Sequence, residues 1–290
     1  MELSVVIVSY NVGDLLRRAL KTLIAAAAET EHEIIVVDNN SSDGSPGMVR
    51  GEFPSVNLIV SESNEGFSAA CNRGIKASAG NYILILNPDT ETEPDAVARA
   101  LDFMRTHPEA GAAGARMTDG SGRFLPESKR GFPSPLASLF RFTGLGKVFH
   151  RSALFNSYYL GNRPENESCP ADILTGAFML IRREALDKAG IFDTDFFMYG
   201  EDIDLSWRIR KAGYINYYLH DVRITHFKGS SSAQEREVAL RHFWDAMVIF
   251  SRKHLKRGWH LPVKVAVTAL KWLSLTRLKA GRLVKKWSPE

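Results

Sequence analysis

From Leu3 to Thr106 the chain alternates short runs of Val, Ile and Leu with longer stretches whose apolar residues recur every three or four positions. No other feature constrains the fold as much. Leu3–Ser9 predicts a strand, and Val12–Ala27 a helix with Leu15, Leu16, Ala19, Leu20 and Leu23 at helical spacing. The pattern then repeats. Glu33–Asp38, Val56–Ser61 and Tyr82–Leu86 predict strands, and Phe67–Ala77 and Pro94–Thr106 predict helices. Parallel strands need crossovers, so the expectation is an α/β fold with a mainly parallel sheet and helices over both faces. Further on, Ile173–Arg182 and Val222–His226 predict strands, with helices over Arg183–Ala189, Glu201–Ala212 and Ala233–His254. Residues 117–171 are irregular and rich in Gly, Pro and Ser, and no chemistry is assigned to them.

Ligands of such sheets gather at the carboxyl ends of the strands. Here those ends are polar: Ser9-Tyr10-Asn11, then Asp38-Asn39-Asn40-Ser41-Ser42-Asp43-Gly44, then Asn87-Pro88-Asp89, while Asn64-Glu65-Gly66-Phe67 opens a helix. No strand is followed by GxGxxG and GxxxxGK[ST] is absent, Gly144-Leu145-Gly146-Lys147 failing both patterns. Dinucleotide redox chemistry and P-loop hydrolysis are thereby disfavoured. Carboxylates in these places suit a nucleotide whose base is held by hydrogen bonds and whose diphosphate rides on a divalent ion. Cys71 and Cys169, the only cysteines, lack zinc-site spacing and are too few for a disulfide framework. Cys71 reads as a small helix-packing residue rather than a nucleophile.

In order and spacing, Ser9-Tyr10-Asn11, Val37-Asp38 through Gly44-Ser45, Asn64–Phe67, Asn87–Thr90, Thr175-Gly176-Ala177-Phe178 and Gly200-Glu201-Asp202-Ile203-Asp204 resemble the inverting family 2 glycosyltransferases. The subtype looks most like bacterial rhamnosyltransferases of cell-surface polysaccharide assembly. The resemblance implies a Rossmann-like GT-A fold and transfer of one sugar, with inversion, from a nucleoside diphosphate donor. It gives Asp38 the imide N–H of a uracil or thymine ring, so the donor is a thymidine or uridine diphosphate sugar. Ser9, Tyr10, Asn11, Asn40, Asn64, Gly66, Asn72 and Asn87 fall on the nucleotide side. Asp89 and His226 would hold a divalent cation, Mg²⁺ or Mn²⁺, His226 opening a His-x-x-Gly segment. Asp202 would be the base that deprotonates the acceptor hydroxyl, Glu201 would orient the acceptor, and Gly176 and Ala177 would lie on the acceptor side. Asn87 replaces the first acid of the family's Asp-x-Asp motif, and Cys71 stands where many relatives carry Arg.

Plainer readings stand beside these. Asp38 suits a turn after a strand, Asn11 a helix cap, Asn-Pro-Asp-Thr a turn, and Glu201-Asp202 the positive end of a helix dipole. Asp204 has Arg208 as an i+4 partner. Two other classes, a sugar-nucleotide-forming nucleotidyltransferase and a catalytically silent binding module, share the strand-end acids. The first lacks its Gly-rich basic loop, because Ser9-Tyr10-Asn11-Val12 follows the first strand.

Charge divides the chain. Residues 251–290 carry eleven Lys/Arg and one acid, a balance of +10, whereas the rest stands at −6. An acidic body argues against nucleic acid, and Trp259, Trp272 and Trp287 among the lysines form an interfacial pattern. The expected layout is a glycosyltransferase domain over 1–232, with a nucleotide half (1–116) and an acceptor half (117–232), followed by a helix and basic amphipathic tail over 233–290. The expected location is cytoplasmic, against the inner face of the cell membrane, with a saccharide or lipid-linked acceptor. The long helix and tail offer a surface for a homodimer.

Overall fold

A computed structural model describes residues 1–227, 236–255 and 258–287. Gly229 of the His-x-x-Gly segment, the 232/233 boundary and the expected helix start at Ala233 lie outside the described residues. The first strand, β1 (Leu3–Ser9), is buried along its whole length because helices cover both faces. Leu3, Val5 and Ile7 point into one apolar cluster with Leu16, Leu20 and Leu23, while Val6 and Val8 point into another with Ile75 and Leu205. This alternation is the strand's period of two acting on two covered faces.

After β1 come α1 (Gly13–Ala26), β2 (His32–Asp38), α2 (Ser45–Glu52), β3 (Asn57–Val60), α3 (Phe67–Ala77) and β4 (Tyr82–Leu86). β1 pairs in parallel with β2 and β4, and β2 with β3, so Ser9 stands opposite Asp38. Helix α3 can pack tightly on this layer because of Gly74, where a Cβ would sit 2.4 Å from Val6 Cγ1.

The remaining strands are β5 (Thr90–Thr92), β6 (Ala110–Thr118), β7 (Cys169–Pro170), β8 (Phe178–Arg182) and β9 (Ile215–His226). The sheet runs β3-β2-β1-β4-β8-β6-β9-β5, with β7 on β9. β8 is antiparallel to both β4 and β6, and β5 is antiparallel to β9, so the second half of the sheet is mixed. β8 begins later than the expected Ile173, because the chain turns at Gly176-Ala177 before pairing. β9 begins earlier than Val222 and keeps its pairing with β6 through a register irregularity at Ala115/Arg116.

The other helices are α4 (Ala96–Thr106), α5 (Pro135–Thr143), α6 (Leu145–Val148), α7 (Arg183–Ala189), α8 (Glu201–Lys211), α9 (Arg236–His254) and α10 (His260–Trp287). α9 packs through Ala246 and Phe250 on Phe196, just before α8, and reaches α8 itself through the His254–Asp204 pair at 2.6 Å. α10 folds back along α9, with Trp244 Nε1 donating to Ser274 Oγ at 2.9 Å and Lys271 meeting Asp245 at 2.6 Å. No helix among the described residues is long and apolar enough to cross a membrane.

Candidate active site

A cavity of about 960 Å³ opens where β1 and β4 end and continues past the start of α8 to the α9/α10 pair. Tyr10, Asn64, Gly66, Asn87, Asp89, Gly176, Ala177, Glu201, Asp202 and His226 all line it. Ser9, Asn11, Asp38, Asn40 and Asn72 do not, and each has a local explanation.

Asp38 is 1% exposed at the end of β2. Its Oδ2 accepts from Ser41 N–H at 2.8 Å, which is the turn reading, while Oδ1 is buried with no hydrogen-bond partner. The Ser9 hydroxyl opposite it is likewise buried and unpartnered. Buried polar atoms are normally satisfied, so these two atoms depart from that rule.

The carboxamide that faces the cavity is that of Asn39, not Asn40. Asn39 Nδ2 donates to Asn64 Oδ1 (2.9 Å) and the Gly66 carbonyl (3.2 Å), and its Oδ1 accepts from Glu65 N–H (3.0 Å). Asn40 is exposed and takes φ +68° to turn the chain. Nothing in the Asn-Asn pair shows which amide points inward.

Asn11 does not cap α1. The N-cap is Val12, and Asn11 instead adopts φ +53° and accepts from Ser42 N–H at 2.7 Å, tying the loop after β1 to the loop after β2. Asp43 holds Gly13 N–H at 2.9 Å and Ser45, which keeps its carboxyl below the ordinary range despite some burial. Asn72 has both ends of its amide on the Phe192 backbone (2.8 and 2.9 Å), a tie between α3 and the segment before α8. Cys71 is fully buried beside it, and burial pushes its thiol well up, in keeping with a packing role.

Gly66 has φ +84°, and a Cβ there would lie 2.5 Å from the Phe197 carbonyl. Phe67 N–H donates to that same carbonyl at 2.7 Å, so the loop opening α3 is fastened to the loop opening α8. At Gly176 a Cβ would meet only the Phe67 ring, at 3.7 Å.

Asp89 and His226 are brought together by the short β5/β9 pairing, which sets Thr90 opposite His226. Asp89 Oδ1 lies 3.2 Å from His226 Nε2 but is not aligned for a hydrogen bond, and His226 Nδ1 is also buried and unpartnered. A carboxylate oxygen and an imidazole nitrogen left in this way fit two positions on a divalent cation. Among the described residues no cluster of three His, Cys, Asp or Glu side chains supplies more. Asn87 N–H donates to the Ala177 carbonyl at 3.1 Å, joining this loop to the turn before β8.

Tyr199 and Gly200 both take positive φ, +67° and +82°, and this sharp turn starts α8 at Glu201 on the cavity wall. Asp202 Oδ2 accepts from Arg130 Nη2 at 2.7 Å, and the same nitrogen reaches the Leu174 carbonyl at 2.5 Å. Arg130 belongs to the segment given no role in the sequence. Its buried guanidinium is kept charged by Asp202, which raises its pKa against the cost of burial. Glu201 is buried with Oε2 unpartnered, and burial pushes its carboxyl up to about 8, with Asp202 adding to the rise and Arg130 opposing it. Asp204 sits 1% exposed away from this wall, held by Arg208 as expected (2.7 Å) and also by His254.

A mixed sheet of this order, with acids at its parallel strand ends and an acid pair at a helix start on one cavity, has the architecture of a GT-A sugar transferase. A mannosyltransferase of Pyrobaculum calidifontis, solved with GDP-Man and Mn²⁺, superposes with a TM-score of 0.60 at 20% identity, over 99% of this chain and 81% of that one. TarS of S. aureus gives 0.59 at 20% identity, over 94% of this chain and 43% of that one. In sequence, the chain is 30% identical over 273 residues to the N-acetylglucosaminyl-diphospho-decaprenol L-rhamnosyltransferase of Mycobacterium tuberculosis, covering 90% of this chain and 88% of that protein. It is 26% identical over 212 residues to the poly-beta-1,6-N-acetyl-D-glucosamine synthase of Staphylococcus aureus, covering 71% of this chain and 45% of that protein. The family described as Glycosyl transferase family 2 matches residues 4–190. The chain belongs to that family and is a glycosyltransferase, as the strand-end motifs led one to expect.

Proposed function

We propose that the protein transfers one sugar, rhamnose in the first instance, from a thymidine or uridine diphosphate donor to a lipid-linked saccharide at the inner face of the cell membrane. The observation that carries this reading is the meeting of Asp89, His226 and Asp202 on one cavity. Residues 1–116 hold the donor and 117–232 the acceptor, with α9 and α10 as an extension. The rhamnosyl and lipid-linked parts rest on the 30% identity to the mycobacterial L-rhamnosyltransferase.

In this reading Asp38 accepts the imide N–H of the base with its uncommitted Oδ1, and Tyr10 covers the ring at the cavity mouth. Asp89 and His226 hold a divalent cation, Mg²⁺ or Mn²⁺, which when bound offsets the charge of the departing diphosphate. Asp202 takes the proton of the acceptor hydroxyl as its oxygen bonds to the anomeric carbon and the bond from that carbon to the diphosphate oxygen breaks on the opposite face. Arg130 fixes the Asp202 carboxylate in place. Glu201, whose carboxyl burial pushes up to about 8, orients the acceptor through a hydrogen bond with one of its hydroxyls.

Incubating the full chain with thymidine, uridine and guanosine diphosphate sugars, with Mg²⁺ or Mn²⁺, tests the reading through release of nucleoside diphosphate. Release from a thymidine or uridine diphosphate sugar, lost on chelation and at least a hundredfold weaker in Asp89→Ala, is the expected outcome. Binding of donors without turnover of any of them assigns a silent binding module instead.

A further inference from the structure

Beyond Asp202 the cavity changes character. Its walls become Leu136 and Leu139 of α5, Phe243 and Met247 of α9, and Val263 and Ala266 of α10. A saccharide needs hydrogen-bonding partners along its length, and these side chains supply none. Ser138, Arg141, Tyr158, Tyr159 and Ser251 also line the cavity, but the wall that α9 and α10 present beyond Asp202 is mainly apolar and suits hydrocarbon. This stretch is continuous with the end at Asp202, so one ligand can span both.

The opposite face of α10 is apolar too. Leu261, Val265 and Trp272 are 67%, 63% and 69% exposed, with Lys264 between them. Residues 258–287 contain no acid and carry lysines and arginines throughout. A helix that is apolar on both sides and purely basic fits between a hydrocarbon ligand on its inner face and an anionic lipid surface on its outer face. Leu136 and Leu139, 50% and 55% exposed on α5, form the other lip.

The geometry points to a slot between α5 and α10 that holds the hydrocarbon chain of the acceptor while its saccharide end reaches Asp202, and the isoprenoid class of that chain is taken from the decaprenol-linked acceptor named for the mycobacterial relative. The inference rests on the lipid-linked acceptor proposed above and adds where the chain lies and which residues select for it. Ala266 and Leu139 are selecting residues, since neither touches the reacting atoms. Both are exposed, so changing them leaves the core intact.

The test uses the full chain and a probe without sugar, farnesyl diphosphate, compared with inorganic diphosphate by calorimetry. Farnesyl diphosphate is expected to bind at least tenfold more tightly, with a negative heat-capacity change from apolar burial. Ala266→Trp, which fills the slot, and Leu139→Gln, which makes its lip polar, each weaken that binding about tenfold. The thermal shift given by thymidine or uridine diphosphate stays unchanged in both. Equal affinity for the two probes, or variants without effect, overturns the slot. So does a dimer broken by Ala266→Trp in a protein that does not bind the isoprenoid, because the surface then belongs to a second copy. The two readings fail separately. Isoprenoid binding without donor turnover leaves the slot and removes the transferase, whereas equal kcat/KM on chain-free and lipid-linked acceptors does the reverse.

Discussion

The two ends of the cavity are built on different physics. At the end proposed for the donor, short polar side chains fasten one loop to another: Asn39 clamps Asn64, Glu65 and Gly66, Asn11 holds Ser42, and Asp43 holds Gly13. At the end proposed for the acceptor, helices supply apolar walls, and the buried charge pair on the wall is Arg130 with Asp202. A nucleotide is a rigid ligand with fixed polar edges, so preorganised donors and acceptors recognise it. A saccharide on a long chain offers reach and apolar area instead, which a helical wall meets.

Four substitutions would sharpen or break that contrast. Asp202→Asn should have the largest effect, lowering the transfer rate by about 10²–10⁴ while leaving donor binding intact, as a single-turnover assay would read. A matching loss of donor affinity would mean that the two ends are not separable. Asp38→Ala removes a charge-assisted hydrogen bond at the donor end. The donor KM should rise about 10- to 100-fold with kcat little changed, from the ~1.5–3 kcal/mol such bonds contribute. A fall in kcat alone would place Asp38 outside base recognition.

Asn39→Ala leaves the Glu65 N–H and the Asn64 carboxamide short of a partner, a loss of about 1–3 kcal/mol. The melting temperature should fall by roughly 2–4 °C per kcal/mol, and bound nucleotide should restore part of it. Glu201→Gln is the smallest change. The folded-state pKa of Glu201, about 8, lies above the ordinary 4.5, so the folded chain binds the extra proton. Its contribution is fully present below pH 4.5 and declines as pH rises through 8. The glutamine variant should show a flatter melting profile over that window and gain about 2–4 °C at its alkaline end. An unchanged profile would show that Glu201 is solvated.

The sequence pattern located several elements in both halves of the chain. The expected spans Phe67–Ala77, Tyr82–Leu86 and Arg183–Ala189 coincide with α3, β4 and α7, because their apolar periods are read locally. α2, β5 and β6 gave no such signal. β6 is Ala-Gly-Ala-Ala-Gly-Ala-Arg-Met-Thr, a composition poor in β-formers, and it is a strand because larger neighbours leave only that much room. A Cβ at Gly111 would lie 2.5 Å from Tyr214 Cβ, and one at Gly114 would lie 3.0 Å from Leu174.

Among the candidate site residues, Asp38 and Asp89 stand out at strand ends in the sequence, whereas Asp202 and His226 are pointed to by the resemblance to the family. Arg130 could not be found in this way. Its partner Asp202 is 72 residues away, and the segment around it has no period. The same holds for His254, which reaches Asp204 across 50 residues. The sequence by itself determined the order of strands and helices and the polar residues at the strand ends, because periodicity and turn chemistry act over a few neighbours. Tertiary structure alone decided which distant charges meet, which of two adjacent asparagines faces inward, and that α5 and α10 line one cavity with the Glu201-Asp202 pair. Those outcomes depend on packing between segments far apart in the chain, which no local pattern encodes.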